Sequence, residues 1–274
     1  MSATTGVFAD IPDDEYHSAR DSLSFSGAKL LLPPSCPAKF KQRMDNPPPP
    51  KPAYTFGHAA HRLVLGKGAE IVEVDAPDWR SKAAQEIRKT ARNGVAPMLT
   101  HELEAARAIE RAVRQHPTAG PLFAQGDAEM SLYAVDPITG VKLRGRTDWL
   151  TTINGQFFIV DFKTSDTADP ESFARKGAGF HYHGQHAWYQ DLVKAVGLSD
   201  SPRFIDVVAE KTPPYVVTVV EFDDEAVAEG RRLNRKAIDI YARCVETNTW
   251  PDYGPGIHPI SVPIWALEEI ELKL

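Results

Sequence analysis

The segment RGRTDWLTTINGQFFIVDFKTS, residues 144–165, sets two aspartates and a lysine in a stretch rich in β-branched and aromatic residues. Asn154-Gly155 lies between LTTI and QFFIV. Asn-Gly between strand-like runs signals a hairpin, because a type I′ turn needs positive φ at both central residues. With that loop, Ile153 pairs with Gln156, and counting back places Asp148 opposite Asp161. Opposed side chains have Cβ atoms roughly 4.5–5.5 Å apart, where like charges repel. Lys163, one pleat beyond Asp161, points to the same face. The pair is costly unless something positive lies between the carboxylates. Oxygen-rich sites suit hard cations, Mg²⁺ above all when a phosphate completes the shell. Such a cation stabilises the attacking and leaving oxygens of a phosphoryl displacement, and a nearby lysine orients water or offsets developing charge. The ordinary alternative is a solvated surface hairpin with an Asp161–Lys163 contact. Opposed aspartates inside apolar strands favour the site.

The preceding strands extend the row. EMSLYAVD (129–136) and VKLRGRTDWL (141–150) flank Pro137-Ile138-Thr139-Gly140. A four-residue loop pairs Asp136 with Val141 and sets Glu129 opposite Asp148; a three-residue or bulged loop would remove Glu129 from the row. Gln185 and Tyr189 stand at i and i+4, on one helix face. His61 lies in a helix predicted over 56–65, where a lone histidine is ordinarily structural. Ser24 and Ser26 open a helix predicted over about 26–32, with Lys29 one turn in. That terminus is either simply capped or drawn to a phosphate. Arg80, Lys82, Arg88, Lys89 and Arg92 against Glu86 make 80–92 basic, which fits phosphate contacts and a solvated face equally. His181, His183 and His186 surround Gln185; surface or DNA contacts are preferred over a second metal site.

These residues need a scaffold. Strands are expected at 128–136, 141–152, 156–163, 203–211 and 215–222, the last two linked by Thr212-Pro213-Pro214. Helices are expected at 56–65, about 80–93 and 99–115 joined around Gly94 and Pro97, 183–196, and a long one capped near Asp223 or Asp224. NPPPPKPA (46–53) reads as an extended connector, 1–22 as irregular or short-strand, and the tail from 250 as irregular with a short final helix. Mixed strands flanked by helices make one α/β domain. The 274 residues are 42% hydrophobic and 25% charged, ordinary for a soluble globular chain. No apolar run long enough for a membrane and no signal-peptide core is evident, so a cytoplasmic protein is expected. The net charge of −6 does not suggest bulk attraction to nucleic acid. Signatures of serine hydrolases, phosphate-loop ATPases and zinc peptidases are missing. Two cysteines, Cys36 and Cys244, cannot supply a four-cysteine iron–sulfur cluster; Cys36 reads as a small packed hydrophobe.

Asp148, a short hairpin, then Asp161-Phe162-Lys163 resembles the core of the PD-(D/E)XK nucleases. Nearly the whole chain is similar to the RecE (exonuclease VIII) branch of the RecB-type enzymes. The likeness runs through EYHSARDSLSFSGAKLL, Ser35-Cys-Pro-Ala-Lys-Phe40, FGHAAHRLVL, RGRTDW, DFKTS, Gln185-His-Ala-Trp-Tyr189 and Trp250-Pro-Asp-Tyr253. Cys36-Pro37-Ala38-Lys39-Phe40 keeps one cluster-bearing segment of some relatives without its other ligands. The resemblance implies one PD-(D/E)XK domain over 1–274, with 1–55 as lead-in and connector. Its core would be a central mixed β-sheet with an antiparallel catalytic hairpin, flanked by helices. It implies a Mg²⁺-dependent exodeoxyribonuclease, Mn²⁺ substituting, that degrades linear duplex DNA from 5′ to 3′ and leaves 3′ tails for recombination. His61, Asp148, Asp161, the Phe162 carbonyl and Glu129 would hold metal; Lys163 would position water; Gln185 and Tyr189 would stand beside the centre. Ser24, Ser26, Lys29, Arg88 and Arg92 are the expected DNA contacts. A ring-shaped homo-oligomer and a RecT-like annealing partner, in a bacterial or phage-infected cell, are further expectations. Open alternatives are a RecB-like nuclease of other polarity, an endonuclease, or a non-catalytic DNA-binding or assembly subunit.

Overall fold

The computed structural model describes residues 5–47, 56–91 and 95–262. The first stretch holds β1 (Gly6–Phe8), α1 (Asp13–Ser18), β2 (Leu23–Ser24), α2 (Phe25–Leu30) and α3 (Pro37–Asp45). The second opens with α4 (Phe56–Leu65), β3 (Glu70–Val74) and α5 (Lys82–Thr90); β4 (Val95–Leu99), α6 (Thr100–Gln115) and α7 (Ala119–Leu122) follow. Next come β5 (Asp127–Val135), β6 (Lys142–Ile153), β7 (Gln156–Ser165), α8 (Pro170–Phe180) and α9 (Tyr182–Ala195). Then come β8 (Arg203–Glu210), β9 (Val217–Val220) and α10 (Asp224–Thr247).

Among the described residues, seven strands form the main sheet in the order β1-β5-β6-β7-β8-β9, with β2 paired to β6 off that path. β7 and β8 run parallel, as do β2 and β6; the other pairs are antiparallel. The sheet is therefore mixed, and residues ahead of 56 supply two of its strands. Side chains alternate between its two faces, as a pleat requires. On β7 and β8, Val160, Phe162, Ile205 and Val207 join a core with α4, α6 and α7. Ile159 and Phe204 instead join a core with α2, α3, α9 and α10. Both faces are covered, a helix–sheet–helix arrangement.

The local signals act as expected. Asn154 and Gly155 have φ of 50° and 82°, and Ile153 pairs with Gln156. The loop after Asp136 is closed by Asp136 N–H to the Val141 carbonyl at 2.8 Å and by Asp136 side-chain bonds from Thr139. Asp223 caps α10 by accepting from the Ala226 N–H at 2.8 Å. Several segments differ. Within the lead-in over 1–22, expected to be irregular or short-strand, Asp13–Ser18 forms helix α1. The joint between α5 and α6 is not a simple turn: Val95–Leu99 is a strand, paired parallel with β3 in a separate two-stranded sheet. Pro97 is tolerated there because each strand of a two-stranded sheet keeps an open edge. Helices α3 and α8 were not expected; each carries Pro at its start, a position that suits a residue without an N–H. The connector at 48–53 and the final helix of the tail lie outside the described residues. Among the described residues no helix is long and apolar enough to cross a membrane.

Candidate active site

The site lies where the sheet splits. β6 and β7 pair from Ile153–Gln156 as far as Trp149–Val160 and no further. Beyond that point β6 stays paired with β5, through Thr147–Met130 and Arg146–Ser131, while β7 stays paired with β8 through Ser165–Glu210. Asp148 and Asp161 are the first residues past the last pair. The Phe162 N–H, directed towards the gap, donates to Asp148 Oδ2 at 2.9 Å. A carboxylate thus replaces the backbone acceptor that continued pairing would have supplied. The β5–β6 register skips one pair, Glu129 opposite Asp148, and then resumes unchanged. Glu129 adopts φ of 57°, a left-handed backbone that few non-glycine residues take up.

Helix α4 delivers His61 to this gap. Its Nε2 is 3.1 Å from Asp148 Oδ2 and its Nδ1 is 3.7 Å from Glu129 Oε1. The face of α4 turned to the core carries Ala59, Ala60, Val64 and Leu65, which fixes the helix against the sheet and leaves His61 25% exposed. Phe162 is buried in the core under α4, its ring 6.5 Å from that of His61.

Lys163 is held from several sides. Its Nζ donates to Asp161 Oδ2 and to Gln185 Oε1 at 3.3 Å, and lies 3.5 Å from Asp206 Oδ1. Gln185 Nε2 donates back to Asp161 Oδ1 at 2.7 Å, so one amide spans the acid and the lysine. Tyr189, one turn on, does not reach the acids: its hydroxyl donates to the Arg146 carbonyl at 2.8 Å and so steadies β6 just past the split. α9 approaches β6 this closely because residue 145 is glycine; a Cβ there would stand 2.7 Å from Leu192 and 2.8 Å from Tyr189.

Asp206 escaped the sequence reading. It pairs with Asp161 across β7–β8, is 0% exposed, and bonds His186 at 2.7 Å through Oδ2. His186 is equally buried, against the rings of Phe204 and Phe222, so the expected surface or DNA role for it is overturned. A histidine in the middle of an apolar helix face with an aspartate inside FIDVV was the available signal. A buried carboxylate needs partners, and Lys163 and His186 supply them. Asp206→Asn keeps the shape and the bond to His186 but removes the charge facing Lys163. It is expected to lower turnover by roughly 10- to 100-fold, the usual effect of supporting groups at such sites. Kinetics on a metal-loaded sample check this; wild-type turnover would mean that Asp161 and Gln185 hold Lys163 unaided.

The other expected contacts are scattered. Ser24 accepts from the Gly27 N–H at 3.2 Å and caps α2, the ordinary role; Ser26 is exposed. Lys29 Nζ donates to the Phe180 carbonyl at 3.2 Å, close enough to Lys163 for the two charges to interact. Arg88 lies on the Trp79 ring, 5.0 Å from its centre, and Arg92 falls outside the described residues. Cys36 and Cys244 are buried free thiols.

A family profile described as a "PDDEXK-like domain of unknown function (DUF3799)" matches residues 24–258, the span that holds every one of the central groups. The chain belongs to this PDDEXK-like family. No curated protein matches it. Among solved structures, a "putative exonuclease" from Eubacterium rectale is similar over 95% of this chain and 98% of that one, with 13% identity and a TM-score of 0.55. That likeness shows a shared fold. SSO0001 is matched over 83% of this chain and 81% of that one at 13% identity, with a TM-score of 0.36, too low to argue from. Family and fold support a nuclease.

PDDEXK-like nucleases generally use divalent metals. Among the described residues no three or more His, Cys, Asp or Glu already stand as a metal shell. The acids are drawn instead onto His61 and Lys163. Their chemistry still fits a hard cation, with carboxylates from Asp148, Glu129 and Asp161 and one imidazole from His61. The charge balance supports this. Burial opposes a charge on His61, but Asp148, Glu129 and Asp161 outweigh it and lift its pKa to about 9. Burial, with the Asp148 and Asp206 charges, pushes Asp161 up to about 7 against the pull of Lys163. Asp148 is held below its ordinary value despite burial, by His61 and the Phe162 N–H. Burial and Asp148 raise Glu129. Protons therefore offset the negative row, and a cation would compete with them.

This fixes a sign. His61 binds its proton more tightly folded, at about 9, than at its ordinary 6.5. Its stabilisation is full below 6.5 and is lost as pH rises through 9. In EDTA, the thermal midpoint should fall between those limits, and His61→Ala should flatten the fall. An equal slope in both proteins would remove His61 from the charge network.

Proposed function

We propose that this PDDEXK-like chain is a Mg²⁺-dependent exodeoxyribonuclease acting on linear duplex DNA. It runs 5′ to 3′ and leaves 3′ single-stranded tails for homologous recombination. The observation that carries the reading is the split between β6 and β7, which brings Asp148, Asp161 and Lys163 to one gap facing His61. The ordered motifs of the RecE branch and the name of the Eubacterium rectale neighbour support exonuclease over endonuclease. A set of acids, imidazole and lysine kept together argues against a non-catalytic subunit.

Asp148, Asp161, His61, Glu129 and the Phe162 carbonyl would hold the cation, Mg²⁺ or Mn²⁺. When bound, the cation supplies Lewis-acid stabilisation of the phosphoryl oxygens and acidifies water. The chain's own groups do the rest. Lys163 aims N–H donors at the reacting phosphate and its water, and Asp161, Gln185 and Asp206 fix that ammonium in place. Tyr189 keeps Arg146, and hence the strand carrying Asp148, from shifting. Lys29, with Arg88 and Arg92 on the basic segment, would contact DNA phosphates. We place the protein in the cytoplasm, as a ring-shaped homo-oligomer serving a RecT-like annealing protein.

The test is digestion of duplexes labelled separately at each 5′ and 3′ end, with and without a 5′ phosphate. Early release of the 5′ label, faster with the phosphate, supports the reading. Early release of the 3′ label would reverse the polarity.

A further inference from the structure

Phe180 is a large ring left 51% exposed at the end of α8. His181 follows in a left-handed conformation and breaks the chain from α8 into α9. That sharp joint stacks the rings of Phe180 and Tyr182, with centres 5.7 Å apart and planes 23° from parallel. Tyr182 in turn covers Lys163, whose Nζ is 4.3 Å from the ring centre. Phe173 supports Tyr182 at 5.6 Å. Exposure falls along this set, from 51% for Phe180 through a half-buried Tyr182 to 15% for the Lys163 side chain. The Phe180 ring centre is no more than about 10 Å from the lysine nitrogen, roughly the reach of one or two nucleotides at about 3.4 Å per stacked base plus a sugar–phosphate arm. A second cation stands at the same corner, since Lys29 donates to the Phe180 carbonyl. Gly179 leaves open space on this side of the joint.

Two ammonium groups and an open aromatic face form the outline of a nucleotide. Phosphate is drawn to cations, and every base has a face that stacks on a ring. We propose that the Phe180–Tyr182 stack is a nucleobase platform: the base of the terminal nucleotide, unpaired from its complement, lies on the outer face of Phe180 while the adjoining phosphate reaches Lys163 and Lys29. The inference rests on the nuclease reading and sharpens it. A base cannot lie on Phe180 while stacked and paired in the duplex, so the end must open by at least one pair. Frayed or mismatched ends are the favoured substrate.

The test is equilibrium binding in EDTA, read by anisotropy of a dye at the far end. Two duplexes are compared, one ending in a mismatched adenine nucleotide and one in an abasic residue at the same place. The wild-type protein should bind the adenine end roughly 5- to 150-fold more tightly, the fold-change equivalent of stacking one base. Phe180→Ala should bind both ends alike, Phe180→Leu should resemble it, and Phe180→Trp should restore the preference. Leu keeps an apolar side chain, so a loss common to Ala and Leu separates ring stacking from general apolar packing. An undiminished preference in Phe180→Ala, or none in the wild type, overturns the platform. A change in light scattering by Phe180→Ala with unchanged DNA binding also overturns it, by assigning the ring to self-association. Digestion of linear DNA by the wild type without base discrimination overturns the platform alone. Failure to bind or digest DNA at all overturns the nuclease reading with it.

Discussion

Asp148→Ala and Asp161→Ala should each lower Mg²⁺-dependent cleavage by roughly a thousandfold or more, since each removes a charged group worth several kcal/mol of transition-state stabilisation. Their effects on the metal-free protein should differ in sign. Asp148 accepts the Phe162 N–H and pairs with His61, and these partners hold its pKa below the ordinary value. A depressed acid stabilises the fold above its unfolded pKa and loses that contribution as pH falls. Its removal leaves a buried N–H and a protonated imidazole without their acceptor, so Asp148→Ala should melt lower at neutral pH. Asp161 is the opposite case. In the folded chain it keeps its proton to about pH 7, against an ordinary value of 3.8. Its contribution is full below 3.8 and is lost as pH rises through 7, so Asp161→Asn should gain on the wild type across that window. Thermal denaturation in EDTA at both ends of the window, with nuclease assays alongside, checks both claims. Substantial cleavage by either alanine variant would refute the assignment, and parallel melting shifts would refute the charge balance.

Lys163→Ala carries the second large effect. Burial disfavours the charge of Lys163, yet Asp161 and Asp206 hold it above the usual lysine range, so it stays an ammonium throughout neutral pH. It therefore acts as donor and positive charge, not as a proton acceptor in its resting state. Its loss should cut turnover by roughly 10²- to 10³-fold, as for removal of one preorganised donor. Metal affinity should hold or rise, because the ammonium no longer competes for the Asp161 carboxylate. Calorimetric titration of metal, paired with turnover at saturating Mg²⁺, separates these quantities. Weakened metal binding with normal turnover would make Lys163 a site-assembling residue.

Much of this site follows from short-range rules. Asn154-Gly155 fixes one hairpin register and the Pro137–Gly140 loop fixes the other, and together they align Asp148, Asp161 and Glu129. What those rules miss is non-local. Perfect pairing would have set Asp148 against Asp161 inside a ladder; the strands instead part, because β7 is also bound to β8 and β6 to β5. Parallel pairing of strands some 45 residues apart, Phe158 with Arg203 onward, brings Asp206 under Lys163, and no local pattern fixes that register. His61 likewise reaches the gap through packing of α4 on the sheet, and only its motif context marks it in the sequence. Composition alone weighs phosphate contact and a solvated face equally for the basic run, and Arg88 lying on Trp79 on an exposed helix fits both.

We propose that the gap between β6 and β7 is a metal-dependent catalytic centre for DNA ends. The most direct measurement is release of acid-soluble nucleotides from the same plasmid, linear or covalently closed, with Mg²⁺ or with EDTA. The predicted result is release from the linear form alone, with Mg²⁺ alone, and none from Asp161→Ala. Release in EDTA, or undiminished release by Asp161→Ala, would contradict it.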